Sequence, residues 1–509
     1  MADEVLLRTF ALPRPFAPDS PWNSVAAPRP DDEITLGTLA GIAVALQELL
    51  VENLFQKARR GPESAPDRAP SVTAIDGQLR EFTGRPNSRT IGPQFAFEEF
   101  TIPIFEADSA AGTFSCPMQS YDGFCCAACD DRCRPTTFAD SEITSQVNPN
   151  CSRCADLQRQ RVVNGLPVIV KDGATTGALV RPSEPTGPGS DGSCVLVDRA
   201  KHQSYDFWQA AVRFDEEAAP EGGGLIGPRI LSAGGIARFD LRCSGTQVLA
   251  APALGRSARA TGTPLLAGLL LPEDLSGRRD SRIEHAFAFA MPRARFDGTP
   301  PEGFPNVVYP ASNTERTNAL KTRFLLAGGQ RILLNDTVLD SLGRPVAWQD
   351  PAAVPAIVRI LFTALRTHGA FLVDGSGGLS FYAEDYHTAN WHTAGWQPAP
   401  AGEPPQLPAE TMERIFELLF LDNELPEHFP DTLPINWPVL EKDRVTTPWW
   451  LLMLGLDDLL TFRLGHYAAD AKDAGLPFSV EVDGKTHFNF RLAEDLPTPA
   501  ALPPCPPSA

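Results

Sequence analysis

Cys194-Val195-Leu196-Val197-Asp198 leads, six residues later, into Tyr205-Asp206-Phe207-Trp208-Gln209-Ala210. Both stretches are rich in β-branched and aromatic residues and too short for helices, so they read as paired strands. The same texture runs from Leu166 to about Glu384. Leu166–Val170, Ala237–Leu241, Arg282–Met291, Val307–Tyr309, Arg323–Leu326 and Ala370–Val373 are further strand candidates, separated by Gly, Pro, Ser and Asp clusters. Many short strands with such punctuation predict a mainly β fold with added helices, built on a β-sandwich or jelly-roll-like scaffold. One helix interrupts them. Ile357, Ile360, Leu361, Ala364 and Leu365 form its apolar stripe, Asp350 suits its start and Gly369 its end.

The flanks divide by composition. Residues 1–110 read as an extended Pro-rich lead followed by a helix packed on the core. Asp31 and Asp32 are its capping candidates, and Leu36, Leu39, Ala43, Leu46, Leu50 and Leu54 recur at helical spacing. Residues 111–160 read as a cysteine-rich insertion and 161–396 as the β-rich core domain. Residues 397–495 are mixed helix and hairpin, with Asp483-Gly484 between Phe478–Val482 and Lys485–Leu492 as a two-residue turn signal. The Pro-rich stretch 496–509 reads as a disordered tail.

Composition sets limits. A chain of 509 residues has room for two to four domains, or one large core with insertions. Its 43% apolar content excludes wholesale disorder. With 44 Lys and Arg against 63 Asp and Glu, the net charge is -19, which argues against a general nucleic-acid binder. No membrane span is expected, because the best apolar runs, Ile34–Val51 and Trp449–Leu464, carry acidic residues. Met1-Ala2-Asp3-Glu4 is acidic, so no signal peptide is visible.

The sharpest chemical signal is in the cysteines. Cys126-x2-Cys129 and Cys151-x2-Cys154 are two knuckles 21 residues apart, close to the spacing of a four-thiolate zinc site. Cys116, Cys125 and Cys133 lie beside them, so an all-disulfide clamp competes with structural zinc. Either cross-link would stabilise an insertion too poor in apolar residues to build its own core.

Candidate functional residues are spread over several strands. His285 shares a predicted strand face with Ile283, Phe287 and Phe289, which suits a hydrogen-bonded core histidine or an acid/base group at a cleft floor. Asp206 and Trp208 share one face of their strand, Tyr205 and Phe207 the other. A carboxylate beside an indole can hold a sugar, or can be a core aromatic with a polar neighbour. A lyase would use Tyr205 and His285 as base and acid, with Arg282 neutralising a uronate. Asp374-Gly375-Ser376-Gly377-Gly378 permits close backbone approach to a ligand, or simply a tight turn. The loop Glu384–His392 gathers Asp385, Trp391 and His392, with Trp396 just beyond, and suits a carbohydrate platform, a divalent metal or plain packing.

Several phrases, taken in order, resemble a broad, poorly characterised bacterial family of mostly secreted β-rich proteins. They are Ser20-Pro21-Trp22-Asn23, Val195-Leu196-Val197-Asp198, Tyr205-Asp206-Phe207-Trp208, Gly262-Thr263-Pro264-Leu265-Leu266-Ala267-Gly268-Leu269, Ile283-Glu284-His285-Ala286 and His368-Gly369-Ala370-Phe371-Leu372-Val373-Asp374. The resemblance implies a compact β-rich fold and an extracellular role, and it brings no reaction with it. Together with the aromatic, Asp and His content of the strands, it leads to the expectation of an extracellular carbohydrate-active protein, a polysaccharide hydrolase or lyase. A non-catalytic surface or binding protein, stabilised by zinc or disulfides, is the alternative.

Overall fold

The structure is a computed structural model. It describes residues 12, 14–43, 45–46, 94–96, 101–117, 162–171, 174–175, 192–208, 210–214, 229–233, 235–246, 257–275, 282–300, 302–314, 325–339, 343–350, 356–376, 379–385, 388 and 477–499. In chain order the strands begin with β1 (Gln94–Ala96), β2 (Ile104–Pro117), β3 (Val162–Lys171), β4 (Ala174–Thr175), β5 (Cys194–Asp198) and β6 (Gln203–Trp208). There follow β7 (Ala211–Phe214), β8 (Arg229–Ser232), β9 (Gly235–Asp240), β10 (Phe287–Met291), β11 (Arg331–Leu334) and β12 (Ala370–Gly375). The last are β13 (Ser380–Tyr382), β14 (Ser479–Val482), β15 (Lys485–Phe488) and β16 (Phe490–Leu492). Two helices are described, α1 over residues 33–43 and α2 over Ala356–Thr367.

The protein is mainly β. Twelve strands form two six-stranded sheets, ordered β4-β3-β2-β5-β6-β9 and β1-β13-β10-β12-β11-β16, and the other four form two short ribbons. Both sheets are mixed. The pairs β2–β5, β10–β12 and β1–β13 are parallel, whereas a jelly-roll is built from antiparallel Greek keys.

Side-chain alternation sorts the core into three layers. In β5, Val195 and Val197 enter a middle layer that also takes Ile104, while Cys194 and Leu196 enter an outer one with Phe105 and Phe207. In the second sheet, Ala288, Phe371 and Val373 face the same middle layer. Phe287, Phe289, Ala370 and Leu372 face the opposite way, against α1 and α2. Thr101–Ile104 crosses between the sheets: Ile102 bridges Glu384, and two residues later Ile104 pairs with Val195 of β5.

The middle layer holds an irregular wedge, residues 257–271. Leu265, Leu266, Ala267, Leu269 and Leu271 are all buried in it. The segment is tied to both sheets. Leu265 N donates to the Asp206 carboxylate of β6 at 2.6 Å. On the other side the Gly268 carbonyl accepts from Ala288 N of β10 at 2.8 Å, and Leu270 N donates to Tyr382 of β13. The fully buried Arg259 shapes it by donating to the carbonyls of Pro264, Leu265 and Ala267.

Several expectations meet the structure directly. β5 coincides with the expected Cys194–Asp198, and Asp483 and Gly484, both at positive φ, make the turn between β14 and β15. Asp32 caps α1 by accepting from Thr35 N. Of the expected stripe, Leu39 and Leu46 are buried, Ala43 packs partly buried on the core and Leu36 is exposed, while Thr35, Thr38 and Ile42 join the buried face. Thr38 fits there because its hydroxyl donates back to the Ile34 carbonyl. The strand expected over Arg282–Met291 begins only at Phe287, because Ala286 N donates to Trp22 O instead of to a ladder partner. Val307–Tyr309 is not a strand. It makes one bridge, Val307 to Gly328, before a turn closed by Ala311 N on Val308 O. β16 joins the second sheet through β11, so the described end of the 397–495 region completes the core. Residues 118–161, 397–476 and 500–509 lie outside the described residues. Among the described residues no helix is long and apolar enough to cross a membrane.

Gly268 tests the wedge. Its φ is +67°, and a Cβ there would lie 2.4 Å from the Ala288 nitrogen. Gly268→Ala is expected to cost at least ~2 kcal/mol, from left-handed backbone strain and overpacking. Urea unfolding checks this, and a loss under about 0.5 kcal/mol, the scale of a neutral surface change, would mean that the segment does not brace the sheets.

Candidate functional site

One end of the second sheet gathers ionisable side chains, at the N-terminal ends of two adjacent parallel strands. His285 lies two residues before β10 and His368 two residues before β12, and Phe287 is in register with Ala370. Phe287 N donates to Gly369 O, which locks the two approaches together. Gly369 ends α2 at φ +67°, and its amide returns to Ala364 O. Ser20–Ser24 straps this end. Ala286 N donates to Trp22 O, and Arg331 donates to the carbonyls of both Ser24 and His368.

His285 is buried and has an acceptor at each ring nitrogen. Nδ1 faces the Ala286 carbonyl at 3.0 Å, and Nε2 faces Asp274 Oδ2 at 3.1 Å. A neutral imidazole has one N–H and would leave one acceptor against a lone pair, so both contacts are satisfied only by the imidazolium. Burial on its own would lower its pKa, but the charge and hydrogen bond of Asp274 outweigh that, and the pKa is raised. Asp274 sits in a 3-10 turn, Pro272–Leu275, where Oδ2 also accepts from Leu271 N at 2.8 Å. The turn directly follows the buried wedge.

His368 is the converse. Nδ1 meets one acceptor, the Ser24 carbonyl at 3.2 Å. Burial first, and then the positive charges of Arg331, His285 and Arg14, lower its pKa. With Nδ1 donating, the neutral ring leaves Nε2 as a lone pair. Arg14 completes the group: Nε donates to Asn23 Oδ1 at 2.9 Å, and Nη1 lies 3.6 Å from Glu284. The site therefore holds one histidine biased toward the charged form, one biased toward the neutral form, and an arginine.

The other sequence candidates lie elsewhere. Asp206 is fully buried. Oδ2 accepts from Leu265 N, Oδ1 has no partner, and burial pushes the pKa up to about 7, against the opposing pull of the Leu265 amide and the Arg259 charge. Tyr205 faces the outer layer, with its hydroxyl on Gln203. No hydrogen bond joins either residue to His285. Trp208 is half-buried at the end of β6, and Arg282 is exposed three residues before His285. Asp374 is half-buried, and its Oδ1 accepts from Gly375 N. It is six residues along β12 from His368, roughly 20 Å in extended chain. Asp385 is a buried brace, accepting from Thr101 at 2.6 Å beside Thr388, which accepts from Ile104 N. Trp391, His392, and the cysteines Cys126, Cys129, Cys151 and Cys154 lie outside the described residues. Among the described residues no cluster of three or more His, Cys, Asp or Glu side chains is placed to hold a metal. Cys116 and Cys194 are buried, and burial pushes the Cys116 thiol up to about 12, which disqualifies it as a nucleophile near neutrality.

Asp274 and Arg14 were not singled out from the sequence, and Asn23 and His368 entered only within the family phrases. The available signal was proximity of phrases: Ser20–Asn23, Ile283–Ala286 and His368–Asp374, far apart in sequence, meet at this end of the sheet. The chain matches no protein-family model, no curated protein and no solved structure.

Asp206 generates a pH prediction. A pKa raised in the folded state gives stability that is complete below the unfolded value near 3.8 and is lost as pH rises through about 7. The span corresponds to about 4 kcal/mol at most. Asp206→Asn is expected to flatten the fall in stability between pH 4 and 8, since the amide oxygen can still accept from Leu265 N. Unfolding curves across that range check it, and an unchanged pH slope would remove the buried-carboxyl account.

Proposed function

We propose that the chain is an extracellular carbohydrate-active enzyme that cleaves a polysaccharide by acid–base chemistry on a sandwich-like pair of sheets. His285, oriented by Asp274, is the proton donor. His368 is the base. The observation that carries this reading is the hydrogen-bond asymmetry of the two histidines, two acceptors for one and a single acceptor for the other. Paired groups driven apart in this way suit the acid and base halves of one reaction.

Elimination on a uronate-containing chain fits these groups best. His368 Nε2 takes the proton beside the carboxylate, the electrons form the new double bond, and the glycosidic C–O bond breaks. The His285 Nε2–H, which faces Asp274 Oδ2 at rest, must leave that contact to give its proton to the leaving oxygen. Arg14 offset the substrate carboxylate, which would otherwise oppose carbanion formation. Arg14 is partly exposed, with Nε on Asn23 and Nη1 3.6 Å from Glu284, and would exchange the Glu284 contact for the substrate carboxylate. The family resemblance supports the extracellular setting, and the Cys126, Cys129, Cys151 and Cys154 set is proposed to be cross-linked by structural zinc or by disulfides.

The test is depolymerisation of uronate polymers, read by the ultraviolet absorbance of the unsaturated end that elimination creates, beside neutral glycans read by new reducing ends. Activity on a uronate polymer is expected, and His285→Gln and His368→Gln should each lower the rate roughly 100- to 10,000-fold with substrate binding retained. Saturable polymer binding with no cleavage, identical in both variants, would replace the enzyme with a non-catalytic binding protein.

A further inference from the structure

A polar concavity lies on the outer face of α2. It has a volume of about 540 Å³, within the range of small-molecule sites, and lies beside Val25 and Ala26, just past Ser24. Arg359, Thr363 and Arg366 project into it from α2 at i, i+4 and i+7, which is one helical face. The opposite face of α2, with Val358, Leu361, Phe362 and Leu365, is buried. Arg491 of β16 reaches the cleft from the sheet, and Gln349 and Trp348 line another side. Trp348 packs edge-on to Phe362, so its position is set by the core.

We infer that this cleft binds a hydroxylated organic anion, a sugar acid or a sugar phosphate, through Arg359, Arg366 and Arg491. Three arginines line the cleft in a chain of net charge -19. Asp336 ties two of them in place, at 2.7 Å from Arg366 and 3.4 Å from Arg491. That pairing lowers the local charge, yet it also holds both forks in position, which reduces the ordering cost of binding. Arg491 is partly withdrawn from solvent, with its side chain 23% exposed, so an anion beside it is screened less than on an open surface. Thr363 and Gln349 offer hydroxyl and amide groups to ligand hydroxyls. The inference does not depend on the His285 chemistry, and it would stand if that reading failed.

Calorimetric titration of the full chain with glucuronate, glucose 6-phosphate and glucose tests the site. Saturable binding of one or both anions is expected, without binding of glucose. Glucuronate alone would assign a sugar acid, and glucose 6-phosphate alone a sugar phosphate. The double variant R359Q/R366Q should weaken binding at least ~10-fold, the equivalent of about 1.4 kcal/mol. The single variant R359Q leaves the Asp336 pairing intact and should weaken binding in the same direction, with thermal unfolding of the free protein confirming that each variant folds. No saturable binding of either anion, equal binding of glucose, or unchanged affinity in both variants would overturn the inference.

Discussion

A guanidinium group shut away from water must find oxygen atoms or carry a large desolvation cost. Arg259 finds three, the carbonyls of Pro264, Leu265 and Ala267, and lies 4.9 Å from the centre of the Tyr382 ring. That one side chain gives an irregular segment a fixed shape inside the core. The shape then fixes where its outward bonds fall, with Leu265 N on Asp206 in one sheet and Gly268 O on Ala288 in the other. Neither sheet could take these bonds from a loop free to adopt other conformations. Asp206 is part of the same arrangement. Burial near the Arg259 charge leaves its carboxyl poised near neutrality, and it serves as an internal brace.

The candidate site follows from where the wedge ends. After Leu271 the chain makes the short turn that holds Asp274, and Asp274 meets His285, 11 residues further along the chain. The strap Ser20–Ser24 fixes the other approach by taking Ala286 N at Trp22 and by giving its Ser24 carbonyl to His368 and Arg331. The two imidazoles thus draw their opposite proton affinities from different elements, a carboxylate turn for one and a backbone strap with an adjacent arginine for the other. Activity requiring both would depend on the wedge and the strap together.

Much of the scaffold was legible because strand burial follows local alternation. β5 and the Asp483-Gly484 turn depend on short-range pattern and turn chemistry, and both appear where the sequence places them. Features set by distant partners were not legible. The start of β10 depends on Trp22, more than 260 residues away, and the parallel pairing of β2 with β5 leaves no local mark. The same division holds for the site. His285 stood out as a histidine among apolar residues, but its expected strand face gave way to a turn position. Asp206 and Asp385 stood out as carboxylates beside aromatic residues, and nothing in their neighbourhoods revealed that both are sealed inside. Asp274 and His368 gain their meaning from contacts made at the ends of the wedge and the strap, where no sequence spacing announces them.

Nitrogen-15 NMR of the histidine rings across pH 4 to 9 tests this account most directly, because ring shifts report both protonation and tautomer. His285 should titrate above the free-imidazole value of about 6.5 and hold both N–H protons below that point, while His368 should titrate below it and be a neutral Nδ1–H tautomer at neutrality. Two histidines titrating together near 6.5, or His285 losing its proton before His368, would contradict the account at its centre.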